Sequence, residues 1–98
     1  MKVEPRDEQS LIAVHESYGC ADGYRARIVD RNTEAGLDLV QNTFFHQAQS
    51  IWVYPNSDVT FYENMYYSGS SLRAITDSEG KCYTKNDFAL LKYSGWIP

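Results

Sequence analysis

Apolar and polar positions along this chain change over with a short period. LIAVHE, residues 11–16, is rich in β-branched and apolar side chains and predicts a largely buried strand that ends before Gly19. From Gly23, GYRARIVD alternates, with Tyr24, Ala26 and Ile28 pointing one way and Arg25, Arg27 and Val29 the other. That period of two predicts a half-exposed strand, and SYGCADG then becomes a hairpin connection. SIWVY (50–54) and VTFYE (59–63) predict two more strands around the turn PNSD (55–58), where proline fixes φ and Asn or Asp tolerates left-handed backbone. SLRAIT alternates again, with Leu72, Ala74 and Thr76 on one side, and DSEGK (77–81) predicts a further turn. Residues 31–45 fit either a short strand or one helical turn, with Gly36 against a long helix, and FALLKY predicts a last short strand or turn before Gly95. Short strands with frequent turns and no sustained 3.6-residue period predict an all-β fold, a sandwich or a barrel.

Length and charge narrow the possibilities. Ninety-eight residues, 43% apolar, suffice for one core, so we expect a single domain over residues 11–98. Residues 1–10 carry mostly charged and polar groups and are expected to form a flexible N-terminal tail. A net charge of −4 without any basic run argues against nucleic acid and anionic membranes as partners, and no apolar run reaches transmembrane length. The start MKVEPRDEQS lacks the apolar centre of a signal peptide. Cys20 and Cys82 are too far apart for a CxxC pair or zinc spacing, which leaves one disulfide or two inert thiols. We expect the disulfide.

Local signatures of catalysis are missing: there is no GxGxxG, HExxH or GxSxG. A cysteine with His15 or His46, or the carboxylates of Glu16 and Glu63 across a cleft, would need distant residues to converge, and a structural role is favoured for each. A non-enzyme is therefore expected. The aromatic surplus is more informative. Eight tyrosines and two tryptophans exceed what inward faces require, so some rings must lie at the surface, where they give rigid contact area for protein or glycan partners. Tyr66 and Trp96 are the candidate binding residues, whereas Tyr62 and Tyr67 suit a hairpin cover.

The halves of the chain echo each other: VHE leads to GYRARI, and FYE leads to GSSLRAI. At these residues a family resemblance emerges. VTFYENMYYSGSSLRAI, residues 59–75, resembles the opening of a βγ-crystallin Greek-key motif, in which a strand ending Tyr-Glu runs into a folded hairpin with an aromatic residue, a Gly and then a Ser. Here these are Tyr62, Glu63, Tyr67, Gly69 and Ser71. QSIWVY (49–54) and NDFALLKY (86–93) are similar to closing segments, so the resemblance implies a small β-sandwich of two Greek-key motifs, residues 11–53 and 59–93. It also raises calcium, which many microbial relatives bind at the motif ends through two acidic or amide residues followed by hydroxyl residues. Asn86 and Asp87 match the first pair and are the candidate metal ligands. Leu90 and Leu91 replace the hydroxyls, and Phe45 to Ser50 keeps only its last residue in type, so calcium binding is expected to be weak or absent and no other cofactor is implied.

Relatives of this kind include structural or stress proteins and also secreted toxins and protease inhibitors on the same sandwich. The cysteine pair and the aromatic surplus favour a secreted, monomeric binding protein such as an inhibitor, toxin or effector, with a structural crystallin relative as the alternative.

Overall fold

Strands form where one side of the chain is apolar at every second residue. In the computed structural model, which describes residues 2–7, 9–17, 19–20, 26–31, 49–63, 67–84 and 86–87, these are β1 (Lys2–Pro5), β2 (Leu11–His15), β3 (Ala26–Asp30), β4 (Ser50–Val53), β5 (Asp58–Tyr62), β6 (Ser71–Ile75) and β7 (Lys81–Thr84). No helix occurs among the described residues. The strands form two antiparallel sheets, ordered β1-β5-β6 and β3-β2-β4-β7. Their apolar sides meet in one core: Val3, Val59, Phe61 and Ala74 come from the first sheet, and Ile12, Val14, Val29, Ile51, Val53 and Tyr83 from the second. The Phe61 and Tyr83 rings approach to 6.4 Å between centroids. The all-β class and the two-layer arrangement thus agree with the alternation in the sequence.

Turn chemistry accounts for several connections. After β4, Pro55 and Asn56 turn the chain with Asn56 at φ 56°, as the PNSD reading requires. Buried hydroxyls then fasten the ends of the two sheets together. The Leu11 N–H donates to Ser57 Oγ (3.2 Å), the Ser57 N–H to Thr76 Oγ1 (2.9 Å) and the Asp58 N–H to Ser10 Oγ (2.9 Å). Short hydroxyl side chains here satisfy strand-end amides that would otherwise be buried without partners. On the exposed side of the three-stranded sheet, Arg73 grips Asp58 with two hydrogen bonds of 2.9 and 2.6 Å, and this guanidinium holds the Asp58 carboxyl below its ordinary range.

Two elements depart from the sequence reading. Residues 1–10 do not form a flexible tail: β1 pairs with β5 in the register Val3↔Phe61, Val3 and Ser10 are fully buried, and Pro5 is buried too. Composition misleads here because a strand with one inward face needs only alternate apolar residues, and Val3 and Pro5 supply them. Glu4 and Arg6 between and beside them pair with each other at the surface. Proline is tolerated because β1 is at the edge of the described sheet. The folded unit therefore begins before residue 11. The second departure is β7, where KCYT forms a strand directly after the turn at Gly80 (φ 77°). Its alternation is too short to register against the surrounding polar residues, yet Tyr83 reaches the core. Replacement Val3→Asp should lower the unfolding free energy by about 3 kcal/mol or more, because an unpaired carboxylate would enter the core, whereas Arg6→Gln should change it by less than about 0.5 kcal/mol. Urea unfolding of the two variants checks this; equal small effects would return residues 1–10 to a tail.

Candidate functional site

A strand pushes neighbouring side chains to opposite faces, so the residues between the core positions of the four-stranded sheet must face outward. Strand register aligns four of them into a row: Ile28 lies opposite Ala13, Ala13 opposite Trp52, and Trp52 opposite Cys82. The row is apolar throughout. Outward faces of antiparallel sheets ordinarily carry polar residues, and here Ile28 is 49% exposed.

Beside this row, the connection after β2 folds back over the same outer face. It crosses β4 at Ser50, whose buried Oγ accepts the Cys20 N–H (2.8 Å) and donates to the Ser17 carbonyl (2.6 Å). Beyond β4 it reaches β7, where Cys20 is bonded to Cys82 with Cα atoms 6.1 Å apart. The expected disulfide is therefore present, and it lies outside the core, on the surface of the sheet. Gly19 (φ 80°) and Cys20 (φ 56°) supply the left-handed backbone that this reversal needs. His15, under the fold of the connection, is 8% exposed, and its Nδ1 has no hydrogen-bond partner.

Together these elements enclose a pocket of about 490 Å³, lined among the described residues by Ala13, His15, Gly19, Cys20, Ile28, Trp52, Tyr54 and Cys82. Trp52 and Tyr54 meet edge to face, 6.4 Å between centroids. Gly80 holds the indole from the far side. A β-carbon on Gly80 would stand 2.8 Å from Trp52 Cζ2 and 2.8 Å from the Val53 carbonyl oxygen, so only glycine lets the β6–β7 turn close against the tryptophan.

After β5 one backbone feature of the β2 connection recurs with different chemistry. Tyr67, like Cys20, lies four residues after the glutamate that follows its strand, and both have φ 56°. Where Cys20 makes a covalent link, Tyr67 packs edge-on against Tyr62 at 5.4 Å. Burial, the Glu4 carboxylate and Tyr62 push the Tyr67 phenol above its ordinary value, so it remains neutral. Glu63 closes the base of this hairpin, its N–H donating to the Ser70 carbonyl (2.9 Å) and its Oε2 accepting the Ser70 N–H (3.4 Å). These two bonds tie Glu63 to Ser70 across the ends of β5 and β6.

Of the other candidate residues, Tyr66 and Trp96 lie outside the described residues. Asn86 and Asp87 are exposed in the turn after β7. The Asp87 carboxylate accepts the Thr84 N–H (2.8 Å) while the Asp87 N–H donates to the Thr84 carbonyl (3.0 Å), a reciprocal turn lock. No group of three His, Cys, Asp or Glu residues converges on a point among the described residues. Sequence reasoning overlooked the outer row, because it exists only through the register that joins β3, β2, β4 and β7. Comparison with protein-family models, curated proteins and solved structures finds no match to this chain.

Two outcomes follow from this geometry. Reducing Cys20–Cys82 should lower stability by about 4 kcal/mol, the loop-entropy value for a link spanning 62 residues, while the far-ultraviolet signature of the sheets persists, since the link lies outside the core. Loss of all β-structure on reduction would contradict that placement. Gly80→Ala should cost at least about 1–2 kcal/mol from its left-handed backbone and should also shift the Trp52 indole resonance, both read by thermal melting and NMR.

Proposed function

We propose that this chain is a non-catalytic binding domain, working in an oxidising, extracellular setting, that holds a protein partner against the outer face of its four-stranded sheet. The observation that carries the reading is the row Ile28–Ala13–Trp52–Cys82, which places apolar and aromatic surface where polar residues normally lie. Trp52 and Tyr54 have the rigid, amphipathic character of interface anchors. The disulfide beside them supports an extracellular setting, since such links persist where glutathione does not reduce them.

The topology supports a double Greek-key reading similar to βγ-crystallins. β7 leaves the β5–β6 hairpin of one sheet and joins β4 of the other, the kind of sheet exchange that links two such motifs. In this reading the hairpins after Glu16 and Glu63 are the paired folded hairpins, and the protein uses the scaffold for partner binding in the manner of an inhibitor, toxin or effector. Asp87, committed to its turn with Thr84, fits a role without calcium better than a metal role.

Panning a random peptide library on the immobilised, oxidised protein tests the reading. Enriched peptides should lose at least tenfold in affinity for Ile28→Lys and keep it for Ile75→Lys, a control on the other sheet where the isoleucine is 66% exposed. Peptides indifferent to Ile28→Lys, or no enrichment at all, would overturn it. Retention on a glycan array that Ile28→Lys abolishes would replace the protein partner with a sugar.

A further inference from the structure

The pocket in that face has a size and chemistry of its own. Its volume of about 490 Å³ lies within the range of small-ligand sites, about 300–1,000 Å³. The space exists because Ala13, the smallest side chain of the row, sits between Ile28 and Trp52. The surrounding surface suits a flat ring: the Trp52 and Tyr54 rings stand edge to face, and the disulfide adds polarisable sulfur, which packs well against aromatics.

Among the side chains that line it, His15 stands apart in a specific way. His15 is more than nine-tenths buried, lines the pocket and has no partner at Nδ1. A buried polar atom left unpaired is uncommon and costly. No partner at Nδ1 commits that atom to one role, so it is left to donate to a ligand or to accept from it. A hydroxyl complements both roles because it donates and accepts. No Lys or Arg lines the pocket among the described residues, and the chain carries a net charge of −4, so an anionic ligand is disfavoured.

We propose that this pocket is a subsite for a single phenol ring, the side chain of a tyrosine on the protein partner, with the ring against Trp52 and Ile28 and the hydroxyl hydrogen-bonded to the His15 imidazole. The proposal rests on the reading of this sheet face as the binding face and adds what the face selects.

The test titrates the oxidised protein with p-cresol, toluene and N-acetyltyrosinamide, following the Ala13 and Ile28 methyl resonances. p-Cresol should bind about tenfold more tightly than toluene, the worth of one net hydrogen bond. N-acetyltyrosinamide should shift the same methyls. His15→Phe should erase the preference for p-cresol over toluene, and Ala13→Leu should abolish binding of both. Ile28→Glu, at an exposed position where folding is not at stake, should weaken p-cresol at least fivefold. Equal affinity for p-cresol and toluene, or p-cresol binding that survives both Ala13→Leu and Ile28→Glu, would overturn the proposal. Binding of p-cresol without N-acetyltyrosinamide would overturn the tyrosine and leave a free phenol as the ligand. Absence of p-cresol binding alongside panned peptides that still depend on Ile28 would overturn this subsite alone. p-Cresol binding without any enriched peptide would instead overturn the protein partner.

Discussion

Everything on the second sheet depends on β4 lying between β2 and β7. Because a strand alternates, this central position sends Ile51 and Val53 into the core and turns Ser50 and Trp52 to the opposite face. The same four residues therefore serve folding and the outer face at once. Ser50 becomes the post over which the β2 connection is draped, and Trp52 becomes the middle of the row that ends at Cys82. A one-residue slip of β4 would exchange the two faces, exposing the core pair and burying the tryptophan, so the register is strongly specified by burial.

The segments after β2 and β5 show how one backbone conformation accepts different partners. Each turns through a residue at φ 56° four positions after a glutamate, a conformation that costs a non-glycine residue energy and needs an interaction to hold it. Cys20 supplies it with a bond to β7 and Tyr67 with a ring against Tyr62. The difference has a structural consequence. The tyrosine packs back on its own strand at Tyr62, whereas the cysteine draws the connection across β4 beside the pocket that His15 and Trp52 line.

Much of the fold was legible from alternation alone. The strands at 11–16, 50–54, 59–63 and 71–76 and the turns at 55–58 and 77–81 correspond to what is observed, because each has a one-sided apolar pattern or a turn residue with a specific backbone preference. β1 and β7 were not legible, since KVEP and KCYT are short and polar in composition, and each is a strand only because a neighbour, β5 or β4, offers it a free edge. The candidate site suffered similarly. Tyr66 and Trp96 drew attention by residue type, while Ala13, Ile28 and Trp52 are unremarkable until register places them side by side.

The sequence by itself determined which residues alternate, where the chain must turn and that two cysteines were available to pair, since these depend on the local preferences of side chains and backbone. Tertiary structure alone decided that β1 completes a sheet, that the disulfide lies on the outside of the sandwich-like core, and that Ile28, Ala13, Trp52 and Cys82 fall in one row across the outer side of the second sheet. Those facts depend on strand order and register, which join residues as distant in the chain as Lys2 and Tyr62 and are set by the burial of both sheets together.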